Sequence, residues 1–205
     1  ARAVIVATGS SAKWLNIPSE KKYLGYGVSA CATCDGFFYR GRTVAVIGGG
    51  NSAVSEALYL ATLADKGVLV RHQLRADKIL QDKIFNNKKI VVEWDSVVEE
   101  IVGEDNPLKV TGIKIKNVEN DKLKTIPVDG VFVAVGHQPN TDIFKGNLVL
   151  DSKGYIVTHE NCSATDIEGV FAAGDVKDPK YKQAVISAGS GAMAAMDAIE
   201  YLDVE

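Results

Sequence analysis

The feature that most constrains this chain is Gly48-Gly49-Gly50-Asn51-Ser52-Ala53, a glycine turn directly after the apolar run Thr43–Ile47 and directly before a helical pattern. A strand that ends in G-x-G-x-x-G/A and continues as a helix is a dinucleotide fingerprint in its required setting. Gly48 makes the tight turn, Gly50 lets the backbone approach a pyrophosphate, and Ala53 is the small residue where helix and strand pack closely. The helix opening at Asn51 and Ser52 offers unpaired N–H groups and a positive dipole end to phosphate. Helical spacing runs from Ala53 through Leu63, with Ala53, Ala57, Leu60 and Ala61 on one face. Strand, turn, helix and strand over residues 43–71 make a βαβ unit. A glycine-rich corner with no ligand is the competing reading, and the strand-to-helix context weighs against it.

Apolar runs of the same kind recur at Val4–Ala7, Val131–Val135 and Val170–Ala173. Continuous rather than alternating apolar character suits strands covered on both faces, as in parallel sheets. A second helix is predicted from about Ala76 to Phe85, and a third from about Gln183 to Tyr201. The stretch Lys89–Val128 differs: alternating segments such as Val110–Lys116 predict an antiparallel meander, with turns at Glu104–Pro107 and Asn120-Asp121. The predicted fold class is α/β, with one domain at residues 13–134 inserted into another formed by residues 1–12 and 135–205. The crossings fall in turn-rich segments, Gly9-Ser10-Ser11 and Gly136–Asn140.

Hydrophobic residues make up 46% of the 205 and charged residues 24%, which excludes a disordered or low-complexity chain. The net charge is −3 with Lys and Arg dispersed, so a nucleic-acid or anionic-membrane partner has no electrostatic support. No apolar run approaches the ~18 residues of a membrane span. Three cysteines are too few for a disulfide framework, which points to a reducing cytoplasm. The chain opens without Met inside a strand-like run, and the expectation is that residues precede it.

The strand after the βαβ helix bears on which nicotinamide cofactor would bind. An NAD site wants an acidic residue about 20 residues on from the turn, to hold the ribose 2′-hydroxyl. Here Gly67–Val70 is followed by Arg71-His72-Gln73-Leu74-Arg75, with two guanidinium groups and an imidazole. The forked donors of Arg71 and Arg75, with His72 between them, match a 2′-phosphate and favour NADP(H). Solvated residues at a strand end are the alternative.

Cys31-Ala32-Thr33-Cys34-Asp35 is a second constellation. Two intervening residues place the sulfurs within bridging reach on a turn or helix start, where a positive dipole end lowers a thiol pKa. Thiolate attack on a disulfide is the exchange reaction itself, and Asp35 is placed to move a proton to or from the pair. An inert buried pair and a zinc site are the alternatives; zinc needs two more ligands, and Cys162, His72, His137 and His159 show no ligand spacing. No metal site is therefore predicted, and Cys162 and the lone histidines read as structural. Trp14 and Trp94 read as packing residues. A third site is Gly169–Asp175, where a strand ends in small residues and Gly174-Asp175. Small residues there permit approach to a bulky cofactor, and Asp175 can accept from sugar or ribityl hydroxyls; a tight strand–helix corner would look similar.

Taken together, Val28–Gly36, Gly48–Val54, Gly136–Thr141, Gly169–Val176 and Tyr181-Lys182-Gln183-Ala184 resemble the low-molecular-weight thioredoxin reductases along essentially the whole chain. The related peroxide-reductase flavoprotein subunits carry different residues between the cysteines. The resemblance implies two Rossmann-like domains, an NADPH domain at 13–134 within a partial FAD domain, and a cytoplasmic homodimer. It implies electron flow from NADPH to FAD, to a Cys31–Cys34 disulfide, and on to the disulfide of thioredoxin. Cys34 would face the flavin, Cys31 would exchange with thioredoxin, and Asp35 would be the acid–base group. Thr8, Gly9, Gly174, Asp175, Lys182, Gln183 and Ala184 would line the flavin. The family alternates its two domains by rotation, and the two turn-rich crossings fit such a hinge.

Three departures from the family pattern stand out. The family's amino-terminal flavin fingerprint has no counterpart here, so a nucleotide-binding module without flavin or turnover is the alternative function. The Arg71–Arg75 segment looks two residues short and one guanidinium poorer than His-Arg-Arg-x-x-x-Arg, a loss of about 1.5–3 kcal/mol for one charge-assisted contact. Lys182 stands where the family has Arg, keeping the charge without the fork.

Overall fold

A computed structural model describes residues 1–203. In chain order the elements are β1 (Val4–Val6), β2 (Ser10–Ala12), α1 (Pro18–Lys22), β3 (Val28–Ser29), α2 (Ala32–Asp35), β4 (Thr43–Ile47), α3 (Asn51–Leu63), β5 (Lys66–Arg71) and α4 (Lys78–Phe85). There follow β6 (Ile90–Trp94), β7 (Ser96–Asp105), β8 (Leu108–Asn117), β9 (Leu123–Pro127), β10 (Gly130–Val133), β11 (His137–Pro139), β12 (Val170–Ala172) and α5 (Ala184–Asp203). The chain divides into two compact units, Ala12–Gly136 and, around it in sequence, Ala1–Ser11 with the chain from His137 onward. Among the described residues no helix is long and apolar enough to cross a membrane.

The inner unit is built on a parallel sheet of order β3-β10-β4-β5-β6. The middles of its central strands β10, β4 and β5 are apolar because both faces are covered there. Val44, Val46, Leu69 and Phe132 point one way and pack with Ala53, Ala57 and Leu60 of α3. Ala45, Ile47, Val68, Val70, Val131 and Val133 point the other way, onto Val98, Ile101, Ile113 and Ile115 of the antiparallel sheet β7-β8-β9. Period-2 alternation thus sorts one set of strands into two cores. Each fully buried Val or Leu side chain contributes about 1.5–3 kcal/mol of transfer free energy.

The expected meander begins later than the sequence pattern indicates. Ile90–Trp94 is not part of it but pairs parallel to β5, with Ile90 opposite Gly67 and Trp94 opposite Arg71. The antiparallel part is β7-β8-β9 alone, where Ser96–Asp105 and Leu108–Asn117 form a long hairpin. The two-residue edge strand β3 has no sequence signal, yet it pairs with β10 and sets the position of the chain just before Cys31.

In the outer unit β1 pairs parallel with β12, Val4 opposite Val170 and Val6 opposite Ala172. The long helix α5 lies on this pair, with Ala194 and Ala198 buried against Phe171 and Ala173. Asp197 fixes it from the side by accepting the backbone N–H and the hydroxyl of Ser163. A second small core of Val6, Leu148, Ile156, Ala172 and Val176 fills the opposite face.

Candidate functional site

All strands of the inner sheet run the same way, so their carboxyl ends lie on one edge, where open α/β sheets bind ligands. At the end of β4, Gly48 adopts φ +146°, and a Cβ there would collide with the Ala134 carbonyl and sit 2.9 Å from the Cβ of Ala53. Ala53 is fully buried at that contact, so the close approach of helix to strand is what excludes a side chain at Gly48. Gly50 differs: a Cβ added there would meet no atom within 4 Å, so the turn leaves open ground at the start of α3. Gly50 is the N-cap of α3 and no side chain caps it, which leaves the first N–H groups facing that ground. This is the arrangement a pyrophosphate fits.

At the end of β5 the stem of Arg71 lies over Gly49, where a Cβ would come within 2.5 Å of its Cδ and Nε. Arg71 Nε donates to the Gln73 carbonyl at 2.7 Å, and the Arg75 N–H donates to the Gly49 carbonyl at 2.7 Å. The Arg71–Arg75 segment is thereby tied to the glycine turn. Burial, then the neighbouring Arg75 cation, lowers the Arg71 guanidinium from its ordinary value, which leaves a cationic pair beside the turn. His72 Nδ1 lies 3.3 Å from Asp95, just past β6 on the same edge. The Asn51 amide faces Asp77: its Nδ2 donates to the carboxylate and its Oδ1 accepts the Asp77 N–H, both at 2.8 Å. Asn51 therefore ties the start of α3 to the start of α4, while Ser52 is exposed beside it.

The cysteines lie just past β3, two strands from β4 and roughly 10 Å away along the sheet. Cys31 and Cys34 are bonded to each other, with Cα atoms 5.3 Å apart. Cys31 is the N-cap of α2: its sulfur accepts the Cys34 N–H at 3.2 Å and lies 3.5 Å from the Thr33 hydroxyl. Its own N–H donates to Ser29 Oγ at 3.0 Å. Cys34 is exposed, Cys31 and Asp35 are half-buried, and Phe37 and Phe38 stand out at 65% and 73% exposure on the next turn. A bridged pair with donors aimed at one sulfur and apolar rings alongside is an accessible dithiol–disulfide couple.

Residues 1–191 match the pyridine nucleotide-disulphide oxidoreductase family. The chain belongs to that family. It is 53% identical over 205 residues to a thioredoxin reductase of Rickettsia conorii, covering 99% of this chain and 66% of that relative. A solved thioredoxin reductase of Streptococcus pyogenes superposes with a TM-score of 0.92 at 43% identity, over 99% of this chain and 66% of that one. A relative from Pseudomonas fluorescens, 50% identical over 98% of this chain and 64% of its own length, bears the name glucosaminate ammonia-lyase. The chain thus spans 66% of the length of its first relatives. The mixed α/β fold is that of the family's dinucleotide-binding enzymes.

The outer unit gathers the other residues singled out in the sequence. A cavity of about 320 Å³ is lined by Ala7, Gly9, Gly174, Asp175, Lys182, Gln183 and Ala184, among others. Two of the lining residues, Gly9 at φ +70° and Gly174 at φ +73°, turn the backbone there. Asp175 accepts from Ser10 at 3.2 Å and Ser187 at 2.9 Å, and Lys182 donates to the Asp178 carbonyl while lying over the Tyr155 ring. Thr8 is locked to Asn140, donating to its carbonyl and accepting its amide, each at 2.8 Å. His137, read from sequence as structural, joins this group: burial, then the Lys182 cation, pushes its imidazole below the ordinary value despite Asp175. A polar floor with small residues fits one face of a bulky cofactor such as a flavin. Sequence reasoning also missed Gly49, whose missing side chain makes room for Arg71, and Glu56, whose burial depends on α2 packing against α3.

Proposed function

We propose that this chain carries the dithiol and dinucleotide machinery of an NADPH-dependent thioredoxin reductase. Residues 13–134 form its NADPH-binding domain, and residues 1–12 with 135–205 form part of an FAD-binding domain. The observation that carries this reading is the accessible Cys31–Cys34 disulfide on the same sheet edge as the dinucleotide turn. Gly50, the uncapped start of α3 and Ser52 would hold the NADPH pyrophosphate, and Arg71, His72 and Arg75 its 2′-phosphate. Asp175, Lys182 and the small residues around them would hold FAD. A bound flavin supplies two-electron transfer between a reduced nicotinamide and a disulfide.

Once the disulfide is open, the donors at the start of α2 favour the thiolate on Cys31. That thiolate attacks one sulfur of the thioredoxin disulfide and forms a mixed disulfide. Cys34 then attacks Cys31, re-forms the Cys31–Cys34 bond and releases dithiol thioredoxin. Asp35, next to Cys34, would be the acid–base group that relays a proton to or from the cysteines. The exposed Phe37 and Phe38 offer thioredoxin an apolar contact beside the reacting sulfurs. Val185, Met193, Met196 and Ile199 leave an apolar stripe on α5, which supports a homodimer, and the low cysteine count supports a cytoplasmic setting.

The test uses the chain itself, reduced with dithiothreitol, desalted and mixed with oxidised thioredoxin, with thiols counted by alkylation mass. Wild type should pass two electrons per chain. Cys34→Ser should pass none, while its NADPH affinity stays within about twofold of wild type. Absence of transfer by wild type, or full transfer by Cys34→Ser, would overturn the reading. A second reading, a nicotinamide-dinucleotide module without flavin, is favoured by the contrast between the five-stranded inner sheet and the two-stranded β1-β12 pair. Retention of added FAD through gel filtration, with bleaching on anaerobic NADPH addition, decides between them.

A further inference from the structure

Glu56 projects from the middle of α3 toward the start of the cysteine helix. Its carboxylate faces the backbone N–H of Ala32, the first residue of α2. Its Oε2 is buried without a hydrogen-bond partner. With that oxygen unpaired, burial raises the carboxyl to about 7, and the facing Ala32 N–H only partly opposes the shift. Ala32 follows Cys31 directly, and Cys31 takes the Cys34 N–H at the same helix start. A carboxylate and a thiolate would therefore compete for the donors of one short helix.

We propose that Glu56 is a positioning residue that anchors the cysteine helix to the dinucleotide helix and takes up a proton when Cys31–Cys34 is reduced. The inference rests on reading that pair as redox-active. With a dithiol as reductant, two electrons break the Cys31–Cys34 bond and the dithiol closes to its own disulfide. Of the two protons it releases, one stays on a cysteine and the other goes to Glu56. The products are one thiol, one thiolate and a neutral carboxyl.

Other ionisable side chains on the elements packed against α3 are Asp35 on α2, Tyr39 on the turn after it, Lys78, Asp82 and Lys83 on α4, Lys66 and Arg71 on β5, and Glu93 on β6. Lys78 pairs with Asp82, Lys124 with Glu93, and Arg71 Nε bonds the Gln73 carbonyl. Burial and the facing Ala32 N–H, with no ion pair, are what act on Glu56.

The test equilibrates the purified chain with dithiothreitol across pH and compares wild type with Glu56→Gln, which keeps an acceptor for Ala32. The reduction constant of Glu56→Gln divided by that of wild type should grow about fivefold from about pH 6 to about pH 8, as the carboxylate charge comes to oppose the thiolate. A purely structural role would shift both constants by a pH-independent factor, and a flat ratio overturns the proposal. Infrared difference spectra of wild type alone, reduced minus oxidised near pH 7.5, should show a protonated carboxyl band gained on reduction, about one per chain or less; its absence also overturns it. A pair that dithiothreitol cannot open refutes the proposed function itself, whereas a pair that opens with a flat ratio refutes the Glu56 coupling alone.

Discussion

Gly48 and Gly50 sit two residues apart in one turn, and alanine at each should fail in opposite ways. At Gly48 the backbone lies at φ +146°, which costs an L-residue about 1–3 kcal/mol. The new methyl would also collide with the Ala134 carbonyl and press on the Ala53 methyl at 2.9 Å, for about 1–3 kcal/mol more. Neither neighbour can retreat, since one is backbone directly after β10, tied by the Ala134 N–H to the Ile47 carbonyl, and the other is fully buried. The sum, roughly 2–6 kcal/mol, should lower the melting temperature by at least ~4 °C at about 2–4 °C per kcal/mol. At Gly50 the backbone is extended, φ −87° and ψ 179°, and the methyl meets no atom within 4 Å. Loss of the N-cap preference, about 1 kcal/mol or less, is offset by ~0.4–1 kcal/mol from a less flexible unfolded chain. Gly50→Ala should therefore melt with wild type, yet its methyl fills the ground a pyrophosphate needs, weakening NADPH at least ~10-fold, or 1.4 kcal/mol. Far-ultraviolet melts and calorimetric NADPH titration read the two effects separately. A Gly50→Ala chain that binds NADPH normally, or that melts as low as Gly48→Ala, would refute the assignment of close ligand approach to Gly50.

Two further outcomes follow from the charged groups. Arg75→Ala should weaken NADPH by about 1.5–3 kcal/mol, roughly 10- to 150-fold, with little change for NADH; equal losses for both would remove Arg75 from the 2′-phosphate site. Asp197 has its carboxyl held below the ordinary value, chiefly by the Ser163 hydroxyl and then by the Ser163 N–H. A depressed folded-state value contributes stability above the unfolded value of about 3.9 and loses it as pH falls through the folded one. Asp197→Asn should consequently flatten the acid limb of urea-melt stability below about pH 4, and an unchanged limb would show that the α5 clamp plays no part.

Much of the inner sheet was legible because its signals are local. Thr43–Ile47, the glycine turn and the helix over 51–63 each announce themselves within a few residues, and α3 starts two residues before the first residue of its apolar pattern. Ile90–Trp94 reads as part of the meander because its burial is uneven: Ile90 is buried, while Val91 and Trp94 are exposed, so an outer strand of a parallel sheet looks like a strand of an antiparallel one. Val28–Ser29 is too short to carry any period, and only pairing with β10 makes it a strand. Asn51 illustrates a different limit. Its place in the fingerprint gives its proximity to the site, but its bond to Asp77, 26 residues away, depends on where α4 begins. Glu56 was invisible for the same reason, since nothing in a polar residue on a helix says that its outer face is covered by a four-residue helix from upstream.

The parallel sheet explains why residues so far apart in sequence share one edge. Because β3, β10, β4, β5 and β6 all run in one direction, every chain segment leaving a strand emerges on the same side. The glycine turn follows β4, the arginines follow β5, Asp95 follows β6, and the cysteines follow β3. Reversing any one strand would carry its residues a full strand length away, about 17–20 Å for a typical strand of five or six residues. The short edge strand β3 is therefore the element on which the cysteines' position depends most, although it is only two residues long. Its two residues fix where Cys31 begins, and α3 then meets the same cysteine helix from the dinucleotide side through Glu56. One helix, α3, thus opens at the glycine turn and meets the cysteine helix at its middle through Glu56, so a single rigid element spans both sequence motifs.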